Sequence, residues 1–137
     1  MHLRFLGTGA ADWQQPEPSG EFRRNASMLV DGALLMDGNA TILDMLPTPS
    51  GVEDMFFTHS HDDHFSAEAV RAIAPKRVYA HESWAAGIDA GGAEVVPLRV
   101  SVPVTTPSGF TILPLPANHA AETPSETALH YLIERDG

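Results

Sequence analysis

The chain contains no cysteine. That excludes a disulfide framework and any thiolate metal site, so a metal could be held only by histidine, aspartate or glutamate. Basic residues are scarce: Lys and Arg number 8 against 18 Asp and Glu, a formal net charge of −10. Such a balance argues against a broad basic surface for wrapping nucleic acid. A phosphorylated substrate remains compatible with it, because bound divalent cations invert the local field. No run of about 18 or more apolar residues occurs, which excludes a helical membrane span. The start, Met1-His2-Leu3-Arg4-Phe5-Leu6, lacks the long apolar core of a signal peptide. These absences lead to the expectation of a cytoplasmic protein with neither nucleic-acid nor membrane partners. There is also no internal repeat and no low-complexity segment.

What is present is a globular composition. The 137 residues, 43% hydrophobic and 19% charged, suit one domain over 1–137 with a real core. Residues 2–6 alternate and run into Gly7-Thr8-Gly9-Ala10, predicting a strand and a tight glycine turn. A phosphate-cradling loop and a plain turn are both open there. Residues 11–24, with Trp13, Pro16, Pro18 and Gly20, read as a loop closed by Arg23-Arg24-Asn25. The basic pair is either solvated or, through Arg24, an anchor for an anionic substrate. Asp31-Gly32 joins two short apolar segments as a hairpin. Asn39 is placed to cap a helix over 40–46, and residues 52–58 predict a strand buried on both faces. Ser66 caps a predicted helix over 67–74 that Pro75 stops, and 76–80 predicts a strand. Ser83 is a candidate cap for a short helix through Ile88. Strands are predicted at 93–96, 98–105, 109–115 and 127–134, with Pro103, Pro107, Pro114 and Pro116 at or near their ends.

The densest chemistry lies in Thr58-His59-Ser60-His61-Asp62-Asp63-His64-Phe65, directly after the apolar run Met55-Phe56-Phe57. His59 and His61 are two apart, so in extended chain they point to one side and can grip one ion. Asp63 and His64 follow where the chain turns toward the next helix, within reach of a second position. The spacing suits two adjacent divalent ions bridged by hydroxide, a nucleophile at neutral pH. With seven histidines and nine aspartates in the chain, chance would produce this pattern about once in a thousand such sequences. A mononuclear site needs a third protein ligand. His119, where an apolar strand runs out into a loop, is well placed for that. His81 ends a strand and is a weaker candidate for the pocket wall. His130 reads as structural, and His2 as surface.

His59-Ser60-His61-Asp62-Asp63-His64 resembles the signature of the metallo-β-lactamase superfamily of binuclear hydrolases. Phe5-Leu6-Gly7-Thr8-Gly9, Leu34-Leu35-Met36-Asp37-Gly38 and the single His119 before Tyr131-Leu132-Ile133 agree with its order. The glycine-rich opening and the arginine before the second strand resemble the phosphodiesterase branch, which includes ribonuclease Z and the cyclic-phosphate phosphodiesterase of phosphonate breakdown. The resemblance implies an α/β (α+β) chain: the N-terminal half of a four-layered αββα sandwich, a mixed sheet with helices on one face. It implies that His59, His61 and His119 hold a first metal and that Asp63 and His64 hold a second. Asp63 would also orient or deprotonate the attacking water. The cofactors implied are two divalent ions, zinc or else manganese or iron. An aspartate bridging both metals and a last histidine, which the superfamily supplies after the strand matching 127–134, have no counterpart: Asp136 comes too early. The expectation is therefore a chain that ends short, with an exposed sheet face that pairs in a homo-oligomer or with a second polypeptide completing the fold.

The expected function is metal-dependent hydrolysis of a small phosphodiester, with Arg24 as a substrate contact. Hydrolysis of a carboxylic ester, thioester or lactone is the alternative enzyme reading. A non-catalytic metal-binding fragment with an incomplete second site is the alternative outside catalysis. Ribonuclease Z activity is disfavoured by the acidic balance.

Overall fold

The computed structural model describes residues 1–10, 19, 23–47, 50–119 and 125–135. Most of the loop expected over 11–24, and Asp136 in the expected final turn, lie outside them. Among the described residues nine strands form two sheets: β1 (Leu3–Gly7), β2 (Ser27–Val30), β3 (Leu34–Met36), β4 (Asp54–Phe56), β5 (Arg77–His81), β6 (Glu94–Leu98), β7 (Val104–Thr105), β8 (Phe110–Pro116) and β9 (Leu129–Arg135). The first sheet runs β1-β2-β3-β4-β5-β6 and the second β7-β8-β9. The β1–β2 and β2–β3 pairs are antiparallel, while β3 to β6 run parallel. Their C-terminal ends therefore open on one edge, where α/β sheets commonly place ligands.

The central strands of the first sheet are apolar on both faces because they are covered on both. Leu35, Met55, Phe57 and Val78 face Ile42, Val70, Ile73 and Ala90. Leu34, Met36, Phe56 and Tyr79 face Phe110, Ile112 and Leu129 of the second sheet. The alternation that should mark a half-buried strand is thus masked, and Met55-Phe56-Phe57 reads as one continuous run. Phe56 stacks on Tyr79 with centroids 4.1 Å apart, and Tyr131 meets Phe56 edge-on at 5.6 Å. At the far end of the strands the fully buried Asp54 accepts from Arg77 Nε at 2.7 Å and from Ser108 Oγ, tying the two sheets together.

Local signals explain most of the element ends. Asp31 and Gly32 both take positive φ (48° and 72°), the pattern that fits an Asp-Gly hairpin turn. Helix α1 (Ala67–Ile73) is capped by Ser66, whose side chain accepts from Ala69 N, and it ends in a left-handed Ala74 before Pro75. Three expectations change. The segment expected to be a helix over 40–46 is a 3-10 helix over Ala40–Met45, capped by Asn39 as expected. Six residues followed by Pro47 leave too little length for α-helical bonds to propagate. Helix α2 (Glu82–Ala85) is capped by His81, not Ser83: His81 Nδ1 accepts from Ser83 N. The strand expected over 98–105 is broken, because Leu98 ends β6 in one sheet and Val104 begins β7 in the other. A left-handed Ser101 (φ 63°), with its N–H on Pro114 O at 2.8 Å, makes the crossing.

The outer face of the second sheet carries Leu115 and Leu132, 38% and 50% exposed. No described helix of the chain is long and apolar enough to cross a membrane.

Candidate metal centre

The histidine loop leaves the C-terminal end of β4 and turns into α1. Its conformation is fixed from below by Asp37, at the end of β3, in a left-handed conformation (φ 52°) that an aspartate tolerates better than most residues. Asp37 is buried. Its carboxylate accepts from Thr58 N at 2.8 Å, from Thr58 Oγ1 at 2.8 Å and from His64 Nδ1 at 2.8 Å. Thr58 Oγ1, having given its proton to Asp37, accepts from His59 Nδ1 at 2.9 Å. Both His59 and His64 thereby keep their Nδ1 protons, which leaves Nε2 as the atom each offers to the cleft. The sequence marked Asp37 only as part of a familiar strand. Its role depends on β3 and β4 being parallel neighbours, which no local pattern announces.

Two groups of donors converge. His59, His61 and His119 form one, and His59, Asp63 and His64 the other, each with its ligand atoms within 4.8 Å of one another. His59 Nε2 lies 3.1 Å from His61 Nδ1, and His119 Nε2 lies 3.4 Å from the same atom. Tetrahedral zinc with bonds of about 2.0–2.1 Å places its nitrogen ligands about 3.3 Å apart, so the donors present fit an ion. Asp63 Oδ2 stands 3.1 Å from His64 Nε2, and that carboxylate is the hard donor a second ion would want. The cleft they line measures about 480 Å³, and Thr8, Gly9 and Ala26 form its opposite wall.

That wall explains the glycines. Gly9 N donates to Arg24 O at 2.8 Å, and Ala26 N donates to Gly9 O at 3.1 Å. A Cβ on Gly7 would lie 2.0 Å from Asn25 O. The Gly9 amide is therefore committed to Arg24, and the glycines serve close backbone packing. Arg24 itself commits its guanidinium to Asp44, with Nε on Oδ1 at 3.0 Å and Nη2 on Oδ2 at 2.6 Å. That contact raises the Arg24 pKa above its ordinary value.

Electrostatics favour ligation at His59. Burial, and then the neighbouring imidazoles of His64, His119 and His61, push its pKa down to about 4, so it is neutral at physiological pH. Burial also opposes charge on His64, but Asp37 and Asp63 outweigh it and raise that pKa. The remaining histidines stand apart. His81 is buried as the cap of α2, with its Nδ1 on Ser83 Oγ at 2.8 Å, and burial lowers its pKa. His130 is exposed on β9 opposite Leu115, and His2 is exposed at the start of the chain.

Among solved structures the chain is similar to Zn(2+)-bound PqqB from Methylobacterium extorquens, at 16% identity and a TM-score of 0.74 over 100% of this chain and 62% of that one. It has the metallo-β-lactamase fold. The metallo-beta-lactamase fold protein YhfI from Bacillus subtilis matches at 14% identity and a TM-score of 0.69, over 96% of this chain and 57% of that one. Igni18, a metallo hydrolase from the archaeon Ignicoccus hospitalis, matches at 19% identity and a TM-score of 0.60, over 82% and 52%. No protein-family model matches the sequence, and no curated protein does. The chain thus spans between about half and three-fifths of the length of these metallo-β-lactamase-fold structures.

Proposed function

We propose that the protein is a metal-dependent hydrolase with a binuclear centre, acting on a small phosphodiester. The observation that carries the reading is the convergence of the two donor groups on one cleft, sharing His59. His59, His61 and His119 would hold one ion, and Asp63 and His64 the other. Two divalent ions bound there lower the pKa of a water molecule and offset charge on the departing oxygen. The other steps belong to the chain. Asp63 accepts the proton of the attacking water and orients it, while Asp37 and Thr58 hold the imidazoles at fixed angles. The Thr8–Gly9 wall limits the cleft to a small substrate. Zinc is the metal favoured by the imidazole-rich donor set; manganese and iron accept the same ligands. Arg24 is kept as an anion contact, a role in which it would have to leave Asp44, its partner in a partly exposed ion pair. The exposed Leu115 and Leu132 support pairing of the second sheet with another polypeptide or a second copy.

Metal counting by plasma emission spectroscopy after zinc loading tests the centre, with about two ions per chain expected. A single ion or none would return the chain to a non-catalytic metal-binding module. Turnover of bis-nitrophenyl phosphate, set beside nitrophenyl esters and lactones with zinc or manganese, tests the substrate. Hydrolysis of the carbonyl substrates alone would sink the phosphodiester reading.

A further inference from the structure

The segment that leads into β9 is laced to the histidine loop at three successive levels. Tyr131 Oη donates to Phe57 O at 2.6 Å, Leu129 N donates to Thr58 O at 2.8 Å, and Ser60 N donates to Glu126 Oε1 at 2.9 Å. The first two hold the exit of β4. The third reaches further, to the peptide between His59 and Ser60. That peptide links the two ligands, so its position bears directly on whether the His59 and His61 rings converge on one cleft. The third histidine depends on the same segment: Ala117 N donates to Ala128 O at 3.0 Å, two residues before His119. Glu126 therefore stands where the His59–His61 arm and the His119 arm are joined.

Glu126 belongs to neither group of donors able to hold an ion. What it supplies is a hydrogen-bond acceptor, fixed across 66 residues of sequence, at the amide of the residue between two ligands. We propose that Glu126 is a positioning residue of the metal centre, holding the Ser60 amide so that His59 and His61 meet His119 at ligand distance. The inference rests on the metal-site reading above. It uses the carboxylate as an acceptor only, so a neutral amide at the same place serves as well.

The test compares Glu126→Ala and Glu126→Gln with the wild type by zinc affinity, read from competition with a chromogenic chelator. Circular dichroism of the metal-free proteins provides the check on folding. Outer partners of metal ligands typically contribute about 10–100-fold in affinity. Glu126→Ala is expected to bind zinc about 10–100-fold more weakly, and Glu126→Gln within about threefold of wild type. Wild-type affinity in the alanine variant overturns the proposal, and so does a glutamine variant as weak as alanine. Hydrogen exchange of the wild-type protein supplies a reading free of any folding risk: the Ser60 amide should be protected in the metal-free state, and its free exchange would overturn the proposal. Failure of the underlying reading looks different, because wild-type protein would then take up no zinc at all.

Discussion

Asp37 Oδ2 lies 2.8 Å from His64 Nδ1, and the same carboxylate accepts both the amide and the hydroxyl proton of Thr58. One buried acid thus sets the tautomer of two histidines, one directly and one through Thr58. Removing it leaves three donors without an acceptor.

Asp37→Ala is expected to destabilise the metal-free protein by about 3 kcal/mol or more, since each of the three stranded donors costs about 1–3 kcal/mol. It should also weaken zinc binding about 10–100-fold. Asp37→Asn keeps an acceptor and tolerates the left-handed backbone at this position, so its loss of stability should be smaller. Chemical denaturation and chelator competition on both variants check the order.

Zinc should stabilise the fold measurably, because it binds the folded arrangement of His59, His61 and His119 and has nothing comparable in the unfolded chain. At 100–1,000 times the dissociation constant the gain is about 2.7–4.1 kcal/mol. For a chain of this size that corresponds to a Tm shift of roughly 10 °C. Differential scanning calorimetry before and after chelation should show the shift in the wild type and little of it in His119→Ala.

Gly7→Ala should be among the more damaging single changes outside the donors. Its Cβ would lie 2.0 Å from Asn25 O and 2.6 Å from Arg24 O, both backbone atoms. The wall facing the histidines must move or the strand must slip. A loss of about 2 kcal/mol or more is expected from such overpacking, with reduced turnover, read by urea denaturation and the phosphodiesterase assay.

Acid should destabilise the metal-free protein through His59. Its folded pKa is pushed down to about 4, while the unfolded chain titrates near 6.5. Between those values the unfolded state binds a proton that the folded state refuses. The contribution is therefore complete above about pH 6.5 and is lost as pH falls through about 4. His64, with its raised pKa, acts in the opposite sense: its contribution is present below the unfolded value and fades as pH rises. Thermal melts of metal-free wild type and His59→Gln across this window separate the two. The variant should show a shallower decline toward acid, and parallel curves would contradict the assignment.

The legible parts of this chain were those written locally. The Asp31-Gly32 turn and the Ser66 and Asn39 caps all lie where the residues place them. The five donor residues also drew attention by type and spacing alone. What could not be read depends on contacts far apart in the chain. Asp37 became a partner of His64 only once β3 lay beside β4, and Arg24 was drawn to Asp44 by the 3-10 helix. Ser83 looked like a cap, yet the preceding His81 offered its ring nitrogen to the Ser83 amide. The predicted strand over 98–105 failed because periodicity does not record a change of sheet.

The contacts that complete the histidine loop span 66 residues from Ser60 to Glu126 and 74 from Phe57 to Tyr131. During synthesis the loop therefore emerges long before the segment that frames it. Contacts of such sequence separation are slow to form, so an ion meeting the growing chain would find the His59–His61 pair without its third partner. Tight metal capture becomes a late event, coupled to closure of the second sheet over the first. A refolding experiment should show zinc uptake following the burial of Tyr131, on the same time course as the final recovery of native signal.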